Sequence, residues 1–239
     1  NNLVFQQIEI NDYPDADYRG LMIDLARHWH SIETLKKLID LSSFYKLNYI
    51  QLHLTDDQSF YSTGSITIDP SNNSTIWLGT GENVGGRHVG IGKGLFVSYN
   101  GGETWKNKGL KKSEHISKII VNKDDSNTIL VASQGPLWSS GGERGLYKST
   151  DGGNNWRSVL KVDKWTGVTD IIVDNRDNNV IYAATWQRHR NVAAYMGGGP
   201  GTKIYKSNDG GDTWKQLKVG LPSGNLGKIG LNYYLQSVN

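Results

Sequence analysis

The chain of 239 residues contains no cysteine. That excludes disulfide staples, thiolate nucleophiles and cysteine metal ligands. No apolar run approaches the roughly 18 residues a membrane-spanning helix needs. The first residues also lack a basic stretch followed by an apolar one, so neither a span nor a signal peptide is expected. The basic residues are dispersed among acids and form no dense run, which argues against nucleic-acid binding. No cofactor and no metal is expected. Proline is scarce at 5 while glycine reaches 29, and 36% of residues are hydrophobic, a balance that fits a folded, turn-rich chain.

The net charge of +3 hides an asymmetry, because residues 1–60 carry nine acids against five bases and the remainder fourteen against twenty-one. Most glycines and tryptophans also fall after residue 60. A boundary is expected there, giving segments 1–60 and 61–232 and a short unassigned tail, 233–239.

One phrase recurs three times in the second segment. It reads Ser98-Tyr99-Asn100-Gly101-Gly102-Glu103-Thr104-Trp105, then Ser149-Thr150-Asp151-Gly152-Gly153-Asn154-Asn155-Trp156, then Ser207-Asn208-Asp209-Gly210-Gly211-Asp212-Thr213-Trp214. The tryptophans lie 51 and 58 residues apart, a period that belongs to stacked or radially arrayed units. A short acidic or amide side chain followed by two glycines is turn chemistry: the side chain accepts nearby backbone N–H groups and the glycines supply positive φ. The apolar run before each copy and the Trp after it read as two antiparallel strands. Upstream of each copy lies another pair of short strands, around Ile66-Thr67-Ile68-Asp69-Pro70, Ile119-Ile120-Val121-Asn122 and Ile171-Ile172-Val173-Asp174. The fold class expected is mainly β: four-stranded antiparallel blades of a partial β-propeller, about three of them. Lys228-Ile229-Gly230-Leu231 reads as the start of a fourth.

The repeated phrase resembles the Asp-box, Ser-x-Asp-x-Gly-x-Thr-Trp, of propeller blades in sialidases, bacterial neuraminidase repeats and sortilin-like domains, with Asn100 and Asn155 departing from it. Over about residues 63–232 the chain resembles bacterial secreted, sortilin-like propellers often labelled glycosyl hydrolases, through Trp186-Gln187-Arg188-His189-Arg190 and Gly197-Gly198-Gly199-Pro200-Gly201 as well. This resemblance implies a secreted, cell-surface or periplasmic setting and gives Ser98, Asn100, Trp105, Ser149, Asp151, Trp156, Ser207, Asp209 and Trp214 structural roles. Sialidase activity does not carry over, because the Arg-Ile-Pro stretch is absent.

Three glycine-rich loops, 81–93, 134–144 and 186–202, join the second and third strands of their blades, so topology places them on one rim. They hold Arg87, His88, Trp138, Arg144, Trp186, Arg188, His189, Arg190 and Tyr195. Arginines there can clamp an anionic group and aromatics can stack on sugar rings, so a glycan or peptide is the expected ligand class. The alternative is that Trp138 and Trp186 pack between blades and the arginines are solvated.

Residues 1–60 have another character. Tyr18 to Ala26 reads as a buried strand, Ser31 as the N-cap of a helix running to about Lys46, and Tyr49-Ile50-Gln51-Leu52-His53-Leu54 as a second strand, together a parallel βαβ unit. Arg19-Gly20-Leu21-Met22-Ile23-Asp24 and Leu52-His53-Leu54-Thr55-Asp56-Asp57 resemble the opening of the TIM-like barrel of glycoside hydrolase family 20, the β-N-acetylhexosaminidases. The resemblance implies that Arg19 holds sugar hydroxyls and that Asp24 belongs to a supporting network, both at C-terminal strand ends. The family's adjacent Asp and Glu are absent, since the chain has no Asp-Glu dipeptide. Asp56 and Asp57 are read as strand-terminating residues. Two incomplete architectures in one chain lead to the expectation of a partial or composite polypeptide, with further blades or chains completing the fold.

Overall fold

The computed structural model describes residues 13–25, 30–53 and 62–232. The chain divides into two compact units, Asn1–Gln58 and Ser59–Asn239. In the first, β1 (Gly20–Asp24) and β2 (Tyr49–His53) pair in parallel, with α1 (Ile32–Phe44) between them in sequence. The helix starts where the sequence places it: the Ser31 hydroxyl accepts from the Thr34 amide and Glu33 occupies the first turn, where the helix dipole favours an anion. The expectation of a buried first strand fails. Only Ile23 of β1 is buried, while Met22 is 57% and Leu52 46% exposed. One strand pair and one helix leave apolar faces uncovered, whatever their sequence pattern. Asp56, Asp57 and the tail from residue 233 lie outside the described residues.

The second unit contains three four-stranded antiparallel sheets, each a simple meander. Blade 1 is β3 (Thr63–Asp69), β4 (Asn72–Thr80), β5 (Leu95–Ser98) and β6 (Lys106–Asn107). Blade 2 is β7 (Ile116–Val121), β8 (Ile129–Ser133), β9 (Gly145–Ser149) and β10 (Arg157–Leu160). Blade 3 begins with β11 (Thr166–Asp174) and β12 (Asp177–Gln187), inserts a two-stranded hairpin of β13 (His189–Arg190) and β14 (Tyr195–Met196), and ends with β15 (Ile204–Ser207) and β16 (Lys215–Gln216). The first hairpin of each blade turns on one device: Asp69, Asn122 and Asp174 each accept the amide of the residue two further on, at 2.8, 2.8 and 3.0 Å.

The core lies between blades. One cluster joins Trp77, Leu95 and Val97 of blade 1 to Ile116, Ile119, Ile129 and Val131 of blade 2. A second joins Leu130, Ala132 and Leu146 of blade 2 to Val168, Ile171, Ile181 and Ala183 of blade 3. Successive strand residues point to opposite faces, so the central blade contributes Ile129 and Val131 to one neighbour and Leu130 to the other. The Trp closing each repeated turn belongs to the same scheme. Trp156 packs on the first cluster and Trp214 on the second, whereas Trp105 is 40% exposed.

The three turns are built alike. The Ser98, Ser149 and Ser207 hydroxyls accept the amides of Gly102, Gly153 and Gly211 at 2.8, 2.9 and 2.9 Å. The side-chain oxygens of Asn100, Asp151 and Asp209 accept the amides four residues on, each at 2.9 Å. The departures from the repeat compensate within each copy. Asn100 donates its amide to the Thr104 hydroxyl at 2.9 Å, whereas Asp151 accepts from the Asn155 amide at 2.7 Å. Gly153 has φ of 73°, and a Cβ there would meet the Trp77 ring at 2.8 Å, so both backbone and packing demand glycine. The indoles differ in one respect: Trp105 and Trp214 bond the carbonyls of Gly102 and Gly211, but Trp156 reaches Lys108 of the preceding blade at 2.8 Å.

The stretch expected to open a fourth blade forms no strand. Instead Leu226 bridges Gly199, and the Leu231 amide donates to Asp170 at 2.8 Å, so its backbone is satisfied by blade 3 rather than by a hairpin partner.

Backbone and side-chain donors hold the Asp151 carboxyl at about 2, below its ordinary 3.8. A lowered folded-state pKa means that this contribution to stability is present above pH ~4 and lost as pH falls through about 2. Carboxyl NMR titration should find Asp151 still ionised near pH 3, and Asp151→Asn should flatten the acid side of the stability profile.

Candidate functional site

The loops between the second and third strands converge as topology requires. Arg188 of blade 3 donates to the carbonyls of Val84 in the blade 1 loop, at 2.6 Å, and Gly135 in the blade 2 loop, at 3.2 Å. Arg190 donates from its guanidinium to Gly85 at 3.2 Å and from its backbone amide to Leu137 at 3.0 Å. Arg87 returns the contact from blade 1, to the Val192 carbonyl at 3.2 Å. Residues about a hundred positions apart in sequence are thereby tied into one platform.

Arg144 and Arg188 depart from their expected role as exposed ligand clamps. They are 1% and 0% exposed. Arg144 donates to the carbonyls of Gln134, Trp165, Pro136 and Ser139. A loop rich in glycine has few side chains to satisfy its own carbonyls, and a guanidinium with five donors serves several at once. Burial pushes the Arg144 pKa down to about 10 and that of Arg188 to about 9, in each case still protonated near neutral pH. His115, wholly buried nearby, is pushed down to about 3 by desolvation and then by Arg188, so it is neutral in the folded state at physiological pH. Glu114 sits at φ of 56°, and burial raises its pKa against the pull of Arg144, Arg188 and Lys93.

The surface of the platform consists of what those clamps leave outside. Arg87 and His88 are exposed, and His189 packs on the Trp165 ring at 4.1 Å between centroids. The Arg190 guanidinium lies 4.4 Å from the centre of the Tyr195 ring, which is itself 40% exposed. The two rim tryptophans divide: Trp186 is buried and donates to Gly197 at 2.9 Å, whereas Trp138 is 41% exposed. Lys228, overlooked in the sequence because its neighbours read as a strand, donates to the carbonyl and side chain of Asn83 at 2.6 and 2.9 Å. It also lies 5.6 Å from the Trp186 ring. No spacing rule would have found it, since 145 residues separate it from Asn83.

Carboxylates around the platform have structural work. Glu82 accepts the Gly90 amide at 2.9 Å, Glu143 the Lys112 amide at 2.7 Å, and Asp163 the Trp165 amide at 2.7 Å. In the first unit, Arg19 immediately precedes β1 while Asp24 ends it. The expectation that both stand at C-terminal strand ends therefore fails for Arg19, because five residues of extended chain set them about 16 Å apart. The Arg19 guanidinium bonds the Lys46 carbonyl at 2.8 Å and that of Ala16.

Meandering four-stranded sheets, packed face to face with equivalent turns, define a protein of the β-propeller class. The family pattern described as "Sortilin, neurotensin receptor 3" matches residues 93–226. That is more than half of the chain, which belongs to this family. Residues 17–65 match a second pattern, "Glycosyl hydrolase family 20, catalytic domain". A beta-hexosaminidase of Vibrio furnissii is 45% identical over 60 residues, covering 25% of this chain and 10% of that protein. A beta-N-acetylhexosaminidase of Cellulomonas fimi is 45% identical over 58 residues, covering 24% and 12%. The chain thus spans about a tenth of the length of these curated relatives. Among solved structures, an ancestral GH74 enzyme aligns with a TM-score of 0.50 at 20% identity, over 66% of this chain and 18% of its own. At that identity the likeness concerns the fold alone.

Replacing Arg188 by Met keeps the stem but strands the Val84 and Gly135 carbonyls. Arg188→Met should cost about 2–6 kcal/mol in urea unfolding, at roughly 1–3 kcal/mol for each of the two stranded carbonyls. Arg87→Ala, at an exposed site, should stay within about 0.5 kcal/mol. The His115 pKa, lowered in the folded state, adds a pH signature. Stability should decline as pH falls from about 6.5 toward 3, where only the unfolded chain binds the proton, and His115→Gln should remove that slope.

Proposed function

We propose that the propeller unit is a ligand-binding module of the sortilin-like, Asp-box type, and that it takes a glycan on the rim built from loops 81–93, 134–144 and 186–202. The observation that carries this reading is the cross-linking of the three loops by Arg188 and Arg190, which fixes the rim before any ligand arrives and so lowers the ordering cost of binding. Exposed Trp138 and Tyr195 supply flat apolar faces of the kind that stack on sugar rings, and Arg87, His88, His189 and Arg190 supply donors for hydroxyl or carboxylate groups. Binding is favoured over hydrolysis because glycoside cleavage ordinarily needs two carboxyl groups across the scissile bond. Glu82, Glu143 and Asp163 each serve backbone amides, and the charges acting on Glu114 are all cationic. A secreted or cell-surface setting forms part of the same proposal.

Calorimetric titration with chitin-, xyloglucan- and sialic-acid-derived oligosaccharides, and with acidic peptides as a separate arm, tests it. Trp138→Ala and Tyr195→Ala should weaken glycan binding about tenfold or more while leaving the unfolding midpoint nearly unchanged. Binding that ignores both substitutions, or a response to peptides alone, would overturn the glycan reading.

A second reading rests on the 45% identity of the first segment to hexosaminidases, which would make the chain part of a β-N-acetylhexosaminidase. This chain lacks the Asp-Glu pair that the resemblance requires for leaving-group protonation. It should therefore not turn over a chromogenic N-acetylglucosaminide. Turnover abolished by Arg19→Ala would restore the hydrolase reading.

A further inference from the structure

The two junctions between blades are not filled alike. Strand pairing fixes the register: Trp77 of blade 1 lies opposite Thr67 and Leu130 of blade 2 opposite Ile120, so both occupy one position of the repeat. Each faces the turn of the next blade. A Cβ on Gly153 would meet the Trp77 ring at 2.8 Å, and one on the equivalent Gly211 would meet Leu130 at 3.4 Å. At the first junction an indole, 2% exposed, therefore occupies the space between the sheets. At the second a smaller aliphatic side chain stands in its place.

A pocket of about 150 Å³ lies at that second junction, with Ile120, Leu130, Val173 and Ile181 among its walls. The polar groups around it depart from the first junction in the same sense. Thr67 donates across the first junction to the Ile119 carbonyl at 2.9 Å, whereas its counterpart Ile120 has no side-chain donor. Ser126 closes the first junction by donating to Asp69 at 2.8 Å. Their counterparts at the second, Asn178 and Asn122, both line the pocket. Asn178 donates instead to Asp124, and the Asn122 side chain accepts the Asp124 amide at 2.8 Å. Ring, hydroxyl and closing pair are thus all missing where the pocket is. It sits beside the first hairpins and the repeated turn, the end of the blades opposite the three loops of the rim, because successive strands of a meander run in opposite directions.

We propose that this pocket is a second binding site, for a small aromatic molecule whose ring takes the place that Trp77 takes between blades 1 and 2. A cavity of about this volume with aliphatic walls accommodates one benzene-sized ring. Two facing sheets make the slot flat, which favours a planar ring over a puckered one. Asn122 keeps its side-chain NH2 and Asn178 its side-chain carbonyl, one donor and one acceptor for a hydroxyl or ring N–H on the ligand. The bond from Asn178 to Asp124 ties the blades together beside the pocket, a closure that a small free molecule passes more readily than a polypeptide.

Amide-resolved NMR titration of the whole chain with indole or benzyl alcohol should give saturable shifts at Leu130, Val173, Ile181 and Gly210. Trp138 and Tyr195 on the rim should stay unmoved, which separates this site from the glycan reading. Leu130→Trp puts into the slot the side chain that the first junction carries. It should weaken binding about tenfold or more, because the space is then occupied by protein, while the unfolding midpoint is kept or raised. Val173→Phe fills the slot from blade 3 and should act alike, so a folding failure of either variant leaves the other to decide. Cyclohexanol should bind more weakly than benzyl alcohol. Absence of saturable shifts at the four pocket amides of the wild-type chain would overturn the proposal, as would unchanged affinity in a folded variant. Equal affinity for cyclohexanol would overturn the aromatic assignment. A response to a tryptophan-containing tripeptide and to neither free ring would overturn the small molecule in favour of a partner's side chain.

Discussion

The structure depends on burial of a sheet's two faces by two different neighbours. A four-stranded meander of this size has no interior of its own, because its side chains alternate above and below the pleat. It becomes stable only when another sheet covers each face. Ile129 and Val131 looking one way and Leu130 the other make blade 2 the one covered on both sides among the described residues, and its strand residues are accordingly the most thoroughly buried. The repeated turn serves this requirement. Its serine and acid or amide fix the backbone, and in blades 2 and 3 its tryptophan packs against the blade before it.

The opposite rim solves a different problem with different chemistry. Long glycine-rich loops bring many carbonyls and few side chains, and carbonyls taken from water need donors. Two buried guanidiniums supply them. Arg144 works within the neighbourhood of blade 2, and Arg188 reaches both other blades. The consequence for function is indirect but large, because the residues that rigidify the rim are not the ones that meet a ligand. Burial keeps His115 neutral, with Arg188 adding to the effect, and raises the Glu114 pKa against the pull of the same guanidiniums.

The first unit shows what happens when the same physics lacks material. β1 and β2 have the sequence pattern of strands buried in an α/β layer, and α1 has a well-formed N-cap, yet Met22, Ile50 and Leu52 face solvent. Local signals suffice for element formation, while burial demands neighbours. The likeness to hexosaminidases over this segment concerns the sequence of a barrel's opening, and the described residues hold one parallel strand pair of that architecture.

The repeat was legible from sequence because its signals are local and periodic. The turn residues, the strand pairs around Ile68, Val121 and Val173, and the Ser31 cap are each decided within a few positions of the chain. Convergence of the three loops on one rim also followed from topology alone. What sequence could not assign was the destination of each polar side chain. Arg188 and Arg87 belong to the same glycine-rich context, but one finds carbonyls from two other blades and disappears, while the other remains at the surface. Ile66 and Ile119 occupy one register position and differ only in whether a blade lies over them. Lys228, read as part of a strand, is held by Asn83 from the far end of the unit. In every case the deciding quantity is contact between residues distant in sequence, which a local pattern of apolar and polar positions does not encode.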